Sequence, residues 1–289
     1  MIPFLNNIPL SDYCTYRSGG PAKQFLKPKN QQELTDAFRF AHQNNIPCLI
    51  LGKGSNVLIS DKGFDGLVIY TGDTLNEIRF NGNTVTAECG VLLHDLVAAC
   101  VDKGLAGIED LTLIPGTVGG AVRMNAGAFQ QSFADHVFSV LSLTPDGKKM
   151  ERTKAELCFG YRTSCFVKSP ELILSATLDL VPGDRAALLQ RVAEDQTKRK
   201  AKQPWDSACC GSVFKRPAGR FAGPLIEQCG LKGCRIGKAM VSPLHANFIV
   251  NEGGASSADI RNLIFHVQQT VQEKTGVLLE PEVLFIGEF

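Results

Sequence analysis

Residues 114–129 read IPGTVGGAVRMNAGAF, and this stretch decides the fold. Gly116, Gly119, Gly120 and Gly127 sit among small residues and branched aliphatics, with Arg123 as the one charge. A loop built for solvent carries more Asp, Lys or Ser. Glycine accepts a positive φ and lets another surface approach the backbone closely. That surface is either the protein's own sheet or a ligand with phosphates and flat rings. For the ligand, successive free N–H groups form an anion-binding concavity. For the sheet, the stretch is a tight turn against a core.

A second glycine loop, GKGSN at residues 52–56, follows the apolar PCLILG and precedes VLIS. Short apolar runs bounded by turns read as buried strands, so this is strand–loop–strand. It lacks the strand–loop–helix context of the dinucleotide GxGxxG and of the phosphate loop GxxxxGK[ST], and Lys53 is misplaced for the latter. Gly52, Lys53, Gly54, Ser55 and Asn56 still offer N–H groups, a cation, a hydroxyl and an amide to a diphosphate. A plain β-turn is the alternative.

Outward from these loops, apolar residues at helical spacing predict helices over residues 31–45, 92–103, 184–202, 222–229 and 256–274. Ser256 with Asp259 reads as a capping box. Strands are expected at 137–144, 172–181 and 277–287, with a hairpin over 78–88 around Asn81-Gly82-Asn83. The KRKAK run at 198–202 reads as a solvated helix end, and Pro204 as a boundary. Helices and strands intermix, so the class is α+β.

At 289 residues the chain is long enough for about two domains. A net charge of +1 argues against nucleic acid as a partner. No apolar run is long enough to span a bilayer, and MIPFLNNIPLSDY does not read as a secretory signal. The ten cysteines are scattered, many in apolar segments, which suits reduced thiols in a cytoplasmic protein. Cys209-Cys210 lacks spaced partners, so no metal site is assigned.

Six words in order carry a resemblance: GKGSN at 52–56, PGTVGGAVRMNAGA at 115–128, YRTS at 161–164, GSVFK at 211–215, HANFIVN at 245–251 and LEPEVLFIG at 279–287. Together they resemble the UDP-N-acetylenolpyruvoylglucosamine reductase family, in its short form. The resemblance implies an FAD-binding fold of the vanillyl-alcohol-oxidase (PCMH) type in two subdomains, residues 1–72 and 73–203. An α+β substrate-binding domain, 204–289, follows. It implies NADPH-dependent, FAD-mediated reduction of UDP-N-acetylglucosamine enolpyruvate to UDP-N-acetylmuramate for cell-wall peptidoglycan, hence for cell shape and division. Partners would be the UDP-sugar and NADPH, with no membrane and no obligatory protein partner. Another flavin oxidase or dehydrogenase of the same fold is the alternative. Some relatives tether FAD through a histidine in the first glycine loop. Ser55 stands at that place here, so FAD is expected to be non-covalent.

The resemblance assigns FAD contacts to Gly52, Lys53, Gly54, Ser55, Asn56, Gly116, Thr117, Gly119, Gly120 and Gly127. It assigns catalysis to Arg162, Ser212 and Glu282, expected to share one cleft. A guanidinium beside the substrate carboxylate stabilises developing enolate charge. A hydroxyl at Ser212 donates the proton, and Glu282 orients the enolate. Substrate contacts are expected from Tyr161, Lys215, Arg216, His245 and Asn247. The Lys215-Arg216-Pro217 word departs from the family's Lys-Asn-Pro, and Arg123 has no assigned task.

Overall fold

Antiparallel pairing organises the larger of two units in this computed structural model, which describes residues 2–128 and 131–289. Phe129, the last residue of the glycine stretch, lies outside the described residues. The first unit comprises the N-terminal residues up to Phe4, Phe25–Lys53 and Gly66–Arg199; the second comprises Leu5–Gln24, Gly54–Asp65 and Lys200–Phe289. Both gather separated stretches of chain, unlike the contiguous ranges 1–72, 73–203 and 204–289.

In the first unit five strands lie in the order Lys149–Thr153, Val137–Leu143, Leu172–Asp179, Thr84–Glu88, Ile78–Asn81. All neighbours are antiparallel, with Val140 opposite Ala176 and Ala176 opposite Ala87. Val85 and Ala87 alternate with half-exposed threonines, and these two buried side chains face the core. The helix Leu93–Asp102 buries Leu93, Leu96, Val97, Cys100 and Val101 in the same cluster. Each such side chain contributes roughly 1.5–3 kcal/mol when fully buried. The helix Gln31–Gln43 starts at Asn30, whose carboxamide oxygen accepts the Glu33 N–H at 2.9 Å. The strand Cys48–Leu51 runs parallel to Phe64–Tyr70.

The glycine stretch is not only a turn. Val118–Met124 forms a helix, with Thr117 Oγ1 accepting the Gly120 N–H and Asn125 closing it at φ 43°. Gly119 and Gly120 disfavour helix, but burial of Val118, Ala121 and Val122 on one side overrides that preference.

The second unit pairs Arg235–Ile236, Ala239–Val241 and Ile249–Asn251. Against them lies the helix Ser257–Thr275, which buries Ile260, Leu263, Ile264, Val267 and Val271. Its capping box with Asp259 is present, and Gly276 ends it at φ 73°. The expected strand 277–287 is interrupted: Leu284–Ile286 pairs parallel to Val57–Ile59, and before it Pro281 makes a single antiparallel bridge to Phe214. Pro281 explains the interruption, since it has no N–H to give to a ladder.

Candidate active site

The candidate residues divide between the units, and each half is built locally. In the first unit a two-residue hairpin presents Arg162. Gly160 and Thr163 exchange both main-chain hydrogen bonds, at 3.1 and 3.3 Å, leaving Tyr161 and Arg162 at the tip. Arg162 takes the left-handed conformation, φ 55°, which a side chain with a Cβ rarely adopts. Its guanidinium donates to Gly127 O at 3.0 Å and lies 5.2 Å from the Tyr161 ring centre. Tyr161 itself is exposed.

Arg123, unassigned by the sequence, anchors this loop from behind. Its guanidinium donates to the carbonyls of Phe166 and Val167, and Ser164 Oγ donates back to Arg123 O at 2.8 Å. Burial pushes its pKa below the usual arginine range. The YRTS word is thereby fastened to the helix Val118–Met124.

Arg199 was not singled out by the sequence, which reads KRKAK as solvated. Lys198 and Lys200 are exposed, but Arg199 turns inward and donates to Thr112 O at 2.8 Å. Burial pushes it down to about 10; Asp195 opposes that shift and the neighbouring Arg162 adds to it. Two guanidinium groups thus stand near one another, each held by a main-chain carbonyl. The signal was available only as periodicity: residues 188, 192, 195 and 199 share one helix face.

The glycine residues have separate reasons. A Cβ on Gly52 would meet Thr117 Oγ1 at 2.5 Å, one on Gly119 would meet Cys89 Cβ at 3.1 Å, and one on Gly127 would meet Gln131 O at 2.7 Å. The Gly119 N–H donates to Cys89 O at 2.9 Å, and the Gly116 carbonyl accepts from Leu93 N–H at 3.0 Å. These positions serve the protein's own packing. Gly120 differs: it is exposed, and the nearest atom to an added Cβ is 3.8 Å away. Its missing side chain leaves room for an outside surface.

In the second unit Gly54 O accepts from Thr15 N–H at 3.2 Å, and a Cβ there would strike Tyr13 O at 2.5 Å. Ser55 is half-buried. Asn56 Nδ2 donates to Glu282 O at 3.2 Å, so this side chain holds the Glu282 backbone. The Glu282 N–H donates to Val213 O at 2.7 Å, and the Lys215 N–H donates to Glu280 O at 2.9 Å. These bonds set Glu282 alongside Val213, the residue after Ser212, and pair Phe214 with Pro281. Gly211, at φ 79°, supplies the left-handed turn that leads into Ser212. Cys210 lies behind; burial pushes its thiol up, and the nearby Glu282 carboxylate adds to that shift.

The substrate candidates fare differently. Lys215 Nζ forms an ion pair with exposed Glu280, and the Arg216 guanidinium sits 4.5 Å from the Phe221 ring centre. Asn247 is buried, and both ends of its carboxamide bond to Phe214. Asn247 therefore shapes the GSVFK segment from within, by holding the Phe214 main chain at both its N–H and its carbonyl. His245 Nδ1 accepts the Asn247 N–H at 3.2 Å, and its ring meets Phe248 edge-on at 4.8 Å.

Residues 22–152 match the profile of an FAD binding domain, and residues 203–286 match that of the UDP-N-acetylenolpyruvoylglucosamine reductase C-terminal domain. The chain is 43% identical over 282 residues to a UDP-N-acetylenolpyruvoylglucosamine reductase of Lactobacillus delbrueckii subsp. bulgaricus, covering 98% of this chain and 95% of that one. This chain belongs to the UDP-N-acetylenolpyruvoylglucosamine reductase family. A relative of the same name from Exiguobacterium sibiricum is 44% identical over 98% of this chain and 93% of its own. The crystal structure of UDP-N-acetylenolpyruvylglucosamine reductase from Thermus caldophilus superposes with a TM-score of 0.86. It is 34% identical and covers 99% of this chain and all of that one. The α+β class holds, with an FAD-binding domain followed by the reductase C-terminal domain.

FAD fits the residues present. Gly52 and Lys53 are half-buried in a turn and Gly120 is open, which suits a flat, anionic group approaching the backbone.

Proposed function

We infer that this chain carries out the NADPH-dependent reduction of UDP-N-acetylglucosamine enolpyruvate to UDP-N-acetylmuramate, a step of peptidoglycan synthesis. The observation that carries the reading is the near-full-length identity to curated reductases of that name. FAD, when bound, supplies the hydride it has taken from NADPH.

The chain's own residues deal with charge and protons. Hydride addition at the terminal carbon of the enolpyruvyl ether leaves negative charge on the carboxylate-bearing side. Arg162 stabilises that charge with fixed, planar donors, which matters most where charge develops. Its anchoring by Gly127 O and its left-handed backbone pre-set the guanidinium. Ser212 donates a proton to the adjacent carbon as general acid. Glu282, held by Asn56 and Val213, orients the enolate. Lys215 and Arg216 serve the diphosphate and Tyr161 the substrate, while His245 and Asn247 support the segment that carries Ser212. Gly52, Lys53, Gly54, Ser55, Gly116, Thr117, Gly119, Gly120 and Gly127 shape the FAD site.

A cytoplasmic location belongs to the same reading, supported by ten cysteines that are all free thiols. The net charge of +1 supports small-molecule partners over nucleic acid. The test uses the purified protein. It should be yellow and should oxidise NADPH only when the enolpyruvyl sugar nucleotide is added. Absence of bound flavin, or rapid turnover with oxygen and an alcohol in place of the nucleotide, overturns the reading.

A further inference from the structure

The segment that enters the glycine stretch is held by three side chains of one helix. Arg191, Gln196 and Arg199 all lie on the helix Arg185–Lys202. Arg191 pairs with the Asp110 carboxylate at 2.7 Å. Gln196 Nε2 donates to Thr112 Oγ1 at 3.4 Å, and the Arg199 guanidinium donates to Thr112 O at 2.8 Å. The Thr112 N–H donates to Glu109 O at 3.0 Å. Thr112 is buried, and each of its polar groups thus has a partner within the protein. All of these residues belong to the first unit.

The next residue explains the need for such a grip. Leu113 takes the left-handed conformation, φ 60°. For a residue with a Cβ that conformation is disfavoured roughly 10-fold. It persists only where the surroundings over-determine it. The Ile114 N–H closes the turn on Leu111 O at 3.2 Å. Pro115 then leads to Gly116, whose carbonyl accepts from Leu93 N–H at 3.0 Å. The chain from Leu113 to Pro115 is a short strained bridge between two anchors, Thr112 and Gly116, and the second anchor opens the glycine stretch.

We propose that Arg199, supported by Gln196, is a positioning residue for FAD: it locks Thr112, keeps Leu113 left-handed and so pre-sets the glycine stretch from Gly116 to receive the cofactor. This rests on the assignment of that stretch to the FAD site. The role runs through Thr112 and Leu113. With the Thr112 carbonyl released, Leu113 relaxes toward negative φ, and only a fraction of molecules keep the stretch competent. The apparent FAD dissociation constant then rises by the reciprocal of that fraction. Leu113→Gly removes the cause, since glycine takes positive φ about as readily as negative.

The experiment serially dilutes the purified flavoprotein and reads released FAD by its fluorescence, at a temperature where circular dichroism shows each variant folded. Arg199→Met should raise the FAD dissociation constant about 10-fold, the factor set by Leu113. Adding Leu113→Gly to it should bring the constant back to within about 3-fold of wild type. A side chain that only stabilises the fold would not be rescued in this way. Should Arg199→Met not fold, Gln196→Met with and without Leu113→Gly makes the same comparison, from an initial rise of about 3-fold. A single variant that holds FAD as tightly as wild type overturns the proposal, and so does a double variant no better than the single. Gly120→Val, which fills the open space on the stretch, separates the proposal from the assignment beneath it. Unchanged FAD affinity in Gly120→Val overturns both together. Weakened affinity upholds the assignment, so that a failure of Arg199→Met then counts against the clamp alone.

Discussion

Asn247 grips Phe214 by both of its main-chain groups: Oδ1 accepts the Phe214 N–H at 3.0 Å, and Nδ2 donates to Phe214 O at 2.9 Å. The Val213 N–H also donates to Asn247 O at 2.8 Å. Phe214 is buried, so truncation leaves a donor and an acceptor without water to replace the lost partner. Asn247→Leu should destabilise the folded protein by about 2–6 kcal/mol, one desolvation penalty of about 1–3 kcal/mol for each orphaned group. The midpoint of denaturant unfolding measures this. A midpoint equal to wild type would show that the clamp carries no stability.

Arg162 combines a strained backbone with a proposed catalytic charge, and two substitutions separate them. Arg162→Gly and Arg162→Ala both remove the guanidinium and its bond to Gly127 O. Only alanine keeps the cost of a Cβ at φ 55°. The glycine variant should therefore be the more stable of the two by about 1 kcal/mol. Both should lose roughly 10²–10³-fold in kcat with the sugar nucleotide. Flavin reduction by NADPH should be unchanged. Equal stability would mean that the hairpin relaxes when the side chain goes.

Ser212 and Glu282 lie in the second unit, on segments joined by the Glu282 N–H to Val213 O bond. Ser212→Ala should slow re-oxidation of reduced flavin by substrate about 10²–10⁴-fold, the range for a lost general acid. Flavin reduction should stay near wild type. Rapid-mixing absorbance of the two half-reactions checks this, and equal slowing of both rules Ser212 out as the proton donor. Glu282→Gln should slow the same half-reaction and retain FAD, whereas a colourless variant would make Glu282 structural.

Much of the fold was legible because burial leaves a period. The helices Leu93–Asp102 and Ser257–Thr275 show it over several turns, and the capping box at Ser256 is a local signal. The helix Val118–Met124 was not legible, because seven residues with two glycines carry too short a period against a poor propensity. The candidate site was read from words, which say that a residue type recurs but not where its atoms point. Asn56 and Asn247 looked like ligand groups, yet their amides hold Glu282 O and Phe214. Arg199 was hidden inside a basic run whose neighbours are exposed, and Arg123 needed the distant Phe166 carbonyl to explain it. Contacts across tens of residues have no local trace, and these assignments depended on them.

His245 gives the protein a pH-dependent component whose sign follows from its surroundings. Burial lowers its pKa below the ordinary 6.5, Lys232 lowers it further, and its own main chain and Glu227 oppose the shift. Protonation also places a hydrogen on Nδ1, which now accepts the Asn247 N–H. The unfolded chain thus binds a proton at His245 more readily than the folded one between the two pKa values. Over that window stability rises with pH. The contribution is intact above pH 6.5 and is lost as pH falls toward the folded pKa. His245→Gln cannot titrate, so its unfolding midpoint should change less than that of wild type between about pH 7.5 and about pH 5. Parallel pH profiles for the two proteins would show that the imidazole stays neutral, or is equally easily protonated, in both states.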